Sequence, residues 1–185
     1  MTIRGCRRLA CDVQHEPTNL DVRAVAHHSF SQLPAEVRER DEMKETLKPR
    51  IRYEHRFKLT PQKMVPALYP EAEEFVAMPE VFATGFLVGL LEWACIKAIN
   101  PHLDWPNEQT VGIHIDVSHL AATPPGLEVT ATVELIAVEG KKLTFAVEAH
   151  DGVDLISKGR HERFVINKDK FEEKVGAKTI AKRIA

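Results

Sequence analysis

The chain has 185 residues, 44% hydrophobic and 28% charged, with a formal charge of −2. That is enough apolar material for one ordinary domain plus an appendage, which excludes a chain disordered throughout. The near-neutral balance gives no ground for nucleic acid or an anionic membrane as the main partner.

Residues 1–50 read as a polar, charge-mixed N-terminal extension. Pro34 can open a helix there and Pro49 would stop it, but Leu33, Val37 and Leu47 make only a thin apolar stripe. Residues 51–59 alternate: Ile51, Tyr53, His55, Phe57 and Leu59 face one way, with Arg52, Glu54, Arg56 and Lys58 opposite, the pattern of a half-buried strand. Pro61, Pro66, Pro70 and Pro79 make the next segment a structured loop or lid with Phe75 and Met78 at its apolar tips. Residues 79–100 are apolar nearly all round, predicting a helix buried on most of its faces. Gly85 and Gly89 are spaced for close packing against a sheet or a second helix. Glu92 interrupts this text, and its helical neighbours Val88, Gly89, Cys95 and Ile96 cannot neutralise a carboxylate. It must reach water, stay protonated, or find a partner elsewhere in the fold.

Four strand-like segments follow, at about 110–120, 129–138, 143–149 and 155–166, the last three joined by turns at Glu139-Gly140 and Asp151-Gly152. The first places Val111, Ile113, Ile115, Val117 and His119 on one face. The last ~14 residues are a basic tail. One strand, a long helix and four strands form an α+β pattern: a mainly antiparallel sheet wrapped around a central helix, the hotdog arrangement. The expected divisions are an extension at 1–50, the hotdog domain at 51–171 and the tail at 172–185. Exposed sheet edges predict a homodimer that hides them.

Cys6, Cys11 and Cys95 lack zinc spacing and cannot all pair within one chain, so a reducing compartment, the cytoplasm, is expected. Arg4, Arg7 and Arg8 admit mitochondrial import as a minor alternative, although Asp12 and Glu16 follow soon. Neither the histidines nor the cysteines form a metal-binding pattern, and no glycine-rich phosphate loop is present. No cofactor, metal or membrane span is expected.

PEVFATGF, GLLEWAC, HLAATPPG, VEGKKL, AHDGVD and HERFVI together resemble the fluoroacetyl-CoA thioesterase family, a branch of the hotdog-fold acyl-CoA thioesterases. The likeness covers roughly residues 51–175. It implies a hydrolase acting on a short acyl-CoA, fluorinated or otherwise substituted, with CoA part of the substrate. The resemblance also implies a catalytic set of Thr84, Glu92 and His119, a backbone glycine at Gly112, an arginine at Arg163 lining the site, and a lid with Phe75. Met78 stands where the family carries a second phenylalanine, which leaves the acyl preference open.

Each residue has a plainer reading. Thr84 could be a helix cap, His119 a core histidine, Gly112 a bulge or close approach, and Arg163 a solvated cation or, with Lys141, Lys142 and Arg160, an attachment for CoA phosphates. Glu92 could act as nucleophile or as base toward water. Thr84 precedes it by eight residues, or ~12 Å of helical rise, so the two meet one acyl group only if the helix bends or two subunits contribute. An enoyl-CoA hydratase and a non-enzymatic acyl-CoA sensor are the alternative functions. The usual Asp/His pairing of hotdog hydratases is not seen, and the N-terminal arm lacks a helix-turn-helix pattern.

Overall fold

A computed structural model describes residues 43–184, with side chains described as far as residue 178. Expectations for residues 1–42, including Cys6, Cys11 and the start of a helix at Pro34, lie outside the described residues.

The chain runs through β1 (Arg52–Lys58), two short 3₁₀ turns and the single-turn helix α1 (Glu73–Val76). Then come the long helix α2 (Thr84–Ile99), β2 (Glu108–Val117), β3 (Glu128–Glu139), β4 (Lys142–His150), β5 (Leu155–Asn167) and the terminal helix α3 (Lys168–Ile184). The strands form one antiparallel sheet in the order β1-β3-β4-β5-β2. Tight turns make neighbours of β3, β4 and β5. Gly140 and Gly152 take the positive φ these turns require, 57° and 92°. β1 and β2 lie at opposite edges, so their connection must cross the sheet. Four inter-strand gaps span roughly 19 Å, and a helix of α2's length reaches ~24 Å.

α2 lies on β1, β3 and β4. Leu87, Leu90, Leu91, Ala94, Cys95, Ala98 and Ile99 form its buried face. They pack into a core with Val129, Ala131, Val133 and Leu135 of β3 and Leu143 and Phe145 of β4. The apolar-all-round text overstated this burial. Gly89 and Trp93 are exposed, and a Cβ on Gly89 would meet nothing within 4 Å among the described residues. Gly85 does pack closely, its neighbour being the Leu68 side chain rather than a sheet or helix. Cys95 is a buried free thiol, its pKa pushed up to about 12 by burial.

Two boundaries differ from expectation. The compact unit begins at Met43: Leu47 is buried in the core, and the Arg50 N–H donates to the Leu135 carbonyl at 2.8 Å. At the other end, the basic segment continues from β5 as α3 without a break. The loop before α2 is held in place by Val65 N–H donating to Val81 O (2.9 Å) and Phe82 N–H to Thr123 O (2.8 Å).

Candidate active site

β2 ends at Val117, so His119 lies beyond the strand rather than on its face. A bulge between Gly112 and His114 also breaks the expected alternation. The extra residue, Ile113, has no partner in β5 and is exposed. Gly112 pairs with Arg163, and a Cβ on it would collide with Glu92 Oε1 and press on His161 Cε1 at 3.2 Å. The glycine thus marks both a bulge and a close approach, and what approaches is the suspect carboxylate.

Glu92 finds its partners on β5. Arg163 Nη1 donates to Glu92 Oε1 at 3.2 Å, and His161 Nε2 stands 3.4 Å from the same oxygen. The Glu92 side chain is 37% exposed, whereas those of Arg163 and His161 are 3% and 2% exposed. The Glu92 carboxyl is therefore held below the usual carboxylate range. Its hydrogen bond with His161 favours the ionised form most, partial burial opposes it, and the Arg163 charge adds to it.

Arg163 is no solvated cation. Its Nε donates to Thr110 Oγ1 (2.9 Å) and its Nη2 to Thr110 O (2.8 Å), so the guanidinium is committed inside the fold. That leaves it poorly disposed to hold CoA phosphates. Lys142 is paired with Glu162 at 2.9 Å, while Arg160 stays exposed.

The second cluster sits at the start of α2. Ala83, not Thr84, is the N-cap residue, and no side chain among the described residues caps the helix. Thr84 occupies the first helical position, exposed, with Oγ1 2.8 Å from His119 Nδ1. Burial lowers the His119 pKa, outweighing a backbone contact with Ala121 that raises it, and leaves the ring neutral near pH 7; no well-formed hydrogen bond to its buried Nε2 is present among the described residues. No hydrogen bond or ion pair among the described residues joins this pair to the Glu92 cluster. The residues expected to act together fall into two groups, Thr84 with His119, and Glu92 with Gly112 and Arg163.

Phe75 on α1 is half-buried against Tyr69, with ring centroids 5.3 Å apart, and Met78 is 49% exposed. A groove of about 360 Å³ runs along the Phe86, Gly89 and Trp93 side of α2, walled by Phe57 and Phe82. None of the expected site residues lines it. Trp93 follows Glu92 by one residue, which turns it ~100° around the helix. No three His, Cys, Asp or Glu side chains among the described residues are grouped to hold a metal ion. Likewise, no helix there is long and apolar enough to cross a membrane.

His161 is the site residue that sequence reasoning missed. A signal was present: Ser157, Gly159, His161 and Arg163 follow the period-two spacing of one strand face that ends at buried Val165. Polar residues at core-facing positions call for partners.

Comparison with known proteins identifies the family. The family model described as "Fluoroacetyl-CoA-specific thioesterase" matches residues 67–169. The fluoroacetyl-CoA thioesterase of Streptantibioticus cattleyicolor is 54% identical over 139 residues, covering 75% of this chain and 99% of that protein.

The chain belongs to the fluoroacetyl-CoA-specific thioesterase family.

As a member of that family it is a thioester hydrolase with a hotdog fold. A solved fluoroacetyl-CoA thioesterase structure superposes with a TM-score of 0.69 at 54% identity, covering 71% of this chain and 97% of that one. A Thermus thermophilus protein of the thioesterase superfamily gives 0.66 at 27% identity, covering 74% and 96%. A hot-dog-like protein from Thermanaerovibrio acidaminovorans, 21% identical with a TM-score of 0.60 over 70% and 91%, shares the fold.

Proposed function

We propose that this family member hydrolyses short acyl-CoA thioesters, fluoroacetyl-CoA among them, as a cytoplasmic homodimer without a cofactor. The observation that carries the reading is Glu92. It is a carboxylate kept ionised on a half-exposed helix face, with every hydrogen bond and ion pair among the described residues falling on Oε1. Oε2 is left for chemistry. Its attack on the thioester carbonyl forms a mixed anhydride and releases CoA thiolate, a good leaving group that departs without a proton. Water then opens the anhydride and regenerates the carboxylate. His119, neutral and hydrogen-bonded to Thr84, suits the role of accepting one proton from that water and passing it to the thiolate. His119 can thus act as general acid toward the thiolate only after that first transfer, because a ring that burial keeps neutral must gain the proton it later gives.

Two clusters about 12 Å apart along one helix are reconciled by a two-fold. Thr84 and His119 of one protomer would face the Glu92 cluster of its partner. Phe75 and Met78 would then cover the acyl group. Methionine is flexible and polarisable where the family carries a ring, so the pocket adapts to shape more readily. This favours a short-chain enzyme of broader acyl range.

The test is thiol release from fluoroacetyl-, acetyl-, propionyl- and malonyl-CoA and one long-chain ester by the wild type and Glu92→Gln. The amide variant should lose about 10²-fold or more in kcat on every ester the wild type turns over. Full activity in Glu92→Gln would end this mechanism. A steep preference for fluoroacetyl over acetyl would show that Met78 can serve as an acyl gate, and comparable rates would mark a general short-chain enzyme.

A further inference from the structure

His161 has no role in the chemistry described above, yet it is among the most constrained side chains of the site. Its Nδ1 lies 2.8 Å from the backbone carbonyl of His114, which can only accept, so Nδ1 carries a proton and Nε2 is the variable atom. The Nδ1 partner belongs to the strand segment where the bulge shifts the register of β2 against β5. Nε2 stands 3.0 Å from Arg163 Nη1 and 3.4 Å from Glu92 Oε1, while Nη1 lies 3.2 Å from Oε1. The three atoms form a closed triangle. With Nε2 unprotonated, Nη1 gives one hydrogen to the imidazole and one to the carboxylate. With Nε2 protonated, the imidazole donates to Oε1 itself. Both forms hold the carboxylate by the same oxygen. Since Nε and Nη2 of Arg163 are tied to Thr110, the guanidinium has little freedom to reach Glu92 differently.

We propose that His161 is a positioning residue for thioester hydrolysis: with Arg163 it clamps Oε1 of Glu92 so that Oε2 is presented to the acyl carbon. The inference rests on the proposed role of Glu92 and extends it to the residue that aims the carboxylate. The titratable and charged groups facing the imidazole are Glu92 and Arg163. Buried Cys95 is close enough to both to interact with their charges, and its raised pKa keeps it a neutral thiol. His114 contributes its carbonyl, its side chain being exposed.

The experiment compares wild type, His161→Phe, His161→Asn and His161→Gln by steady-state thiol release across pH, with Glu92→Gln alongside. Phenylalanine fills the space without hydrogen bonds, and asparagine can keep the contact to His114 but cannot reach the triangle. Both should lower kcat about tenfold or more with KM changed less than about twofold, because misaiming a reacting group costs rate rather than binding. Glutamine places an amide near the Nε2 position and should recover most of the loss. The acid limb of kcat/KM should move toward higher pH in the phenylalanine and asparagine variants, because Glu92 loses a partner that favours its ionised form. A purely structural role would lower the unfolding temperature and leave both kcat per folded molecule and the acid limb in place. Should His161→Phe fail to fold, the asparagine variant decides. If Glu92→Gln is inactive while the asparagine variant keeps wild-type kcat and acid limb, the positioning role is overturned and the hydrolytic reading survives. An active Glu92→Gln would overturn both.

Discussion

Gly112 lacks a side chain where Glu92 Oε1 fills the space that a Cβ would need. Adding one methyl group there tests how closely activity depends on the aim of that carboxylate. The obstacle is the end of a half-exposed side chain, so the fold can yield by moving Glu92 outward at small cost. Gly112→Ala should therefore lower kcat about tenfold or more while shifting the midpoint of thermal unfolding by only a few degrees. A variant with wild-type kcat would show that Glu92 tolerates displacement. The pH dependence follows from the same contacts. Because the folded-state pKa of Glu92 is depressed, its ion pair stabilises the fold at pH above the ordinary carboxylate value. The contribution fades as pH falls through the depressed one. With the side chain 37% exposed, solvent screens much of that contribution. Under the proposed mechanism, function depends on this pair more than stability does.

The elements hold the first helical turn of α2 in place through a short relay. Asp151, in the β4–β5 turn, accepts from the N–H groups of Val153 (3.0 Å) and Asp154 (2.8 Å) through Oδ1, and from Thr123 Oγ1 (2.9 Å) through Oδ2. Thr123 in turn accepts from Phe82 N–H, two residues before Thr84. One carboxylate thus closes a hairpin and anchors the segment leading into the helix. Asp151→Ala leaves two N–H groups and a buried hydroxyl without their partner, which should cost about 1–3 kcal/mol. Chemical denaturation would measure the loss, and an unchanged midpoint would mean that water replaces the carboxylate at no cost. The turn was legible as Asp-Gly in the sequence. Its link to the start of the helix depends on a loop nearly thirty residues upstream, the separation in the Thr123–Asp151 bond being 28.

For the whole molecule, the edges of the sheet and the division of the site pose one question. Among the described residues β1 and β2 leave unpaired edges, and no hydrogen bond or ion pair joins the Thr84–His119 pair to the Glu92 cluster. The proposed dimer answers both, and subunit complementation can check it. Thr84→Ala and Glu92→Gln, each inactive alone, would be mixed in equal amounts, unfolded and refolded together. If each site takes Thr84 from one protomer and Glu92 from the other, half the dimers carry one intact site. Activity should then return to about a quarter of wild type. Mixing without recovery, in a sample shown to contain heterodimers, would place both residues of a site in one chain.

The sequence by itself determined what depends on near neighbours. Alternation at residues 51–59 marked β1, Gly140 and Gly152 marked the hairpin turns, and the nearly all-apolar text of residues 79–100 marked α2. It also marked Glu92 as a charge without a local partner, and the resemblance pointed to Gly112 and Arg163, both of which lie beside Glu92. Only the tertiary structure decided which group answers the charge. Arg163 and Glu92 are 71 residues apart, and they meet because β5 lies beside β2 in a particular register. Alternation along β5 could place His161 on the inward face, but a bulge of one residue at Ile113 of β2 and the packing of α2 decide that the imidazole meets Glu92. The open side of α2 and the place of Leu47 in the core were hidden for the same reason. Each is set by what the rest of the chain packs against it. A pattern of apolar residues says how much surface must be covered, and only the assembled sheet says what covers it.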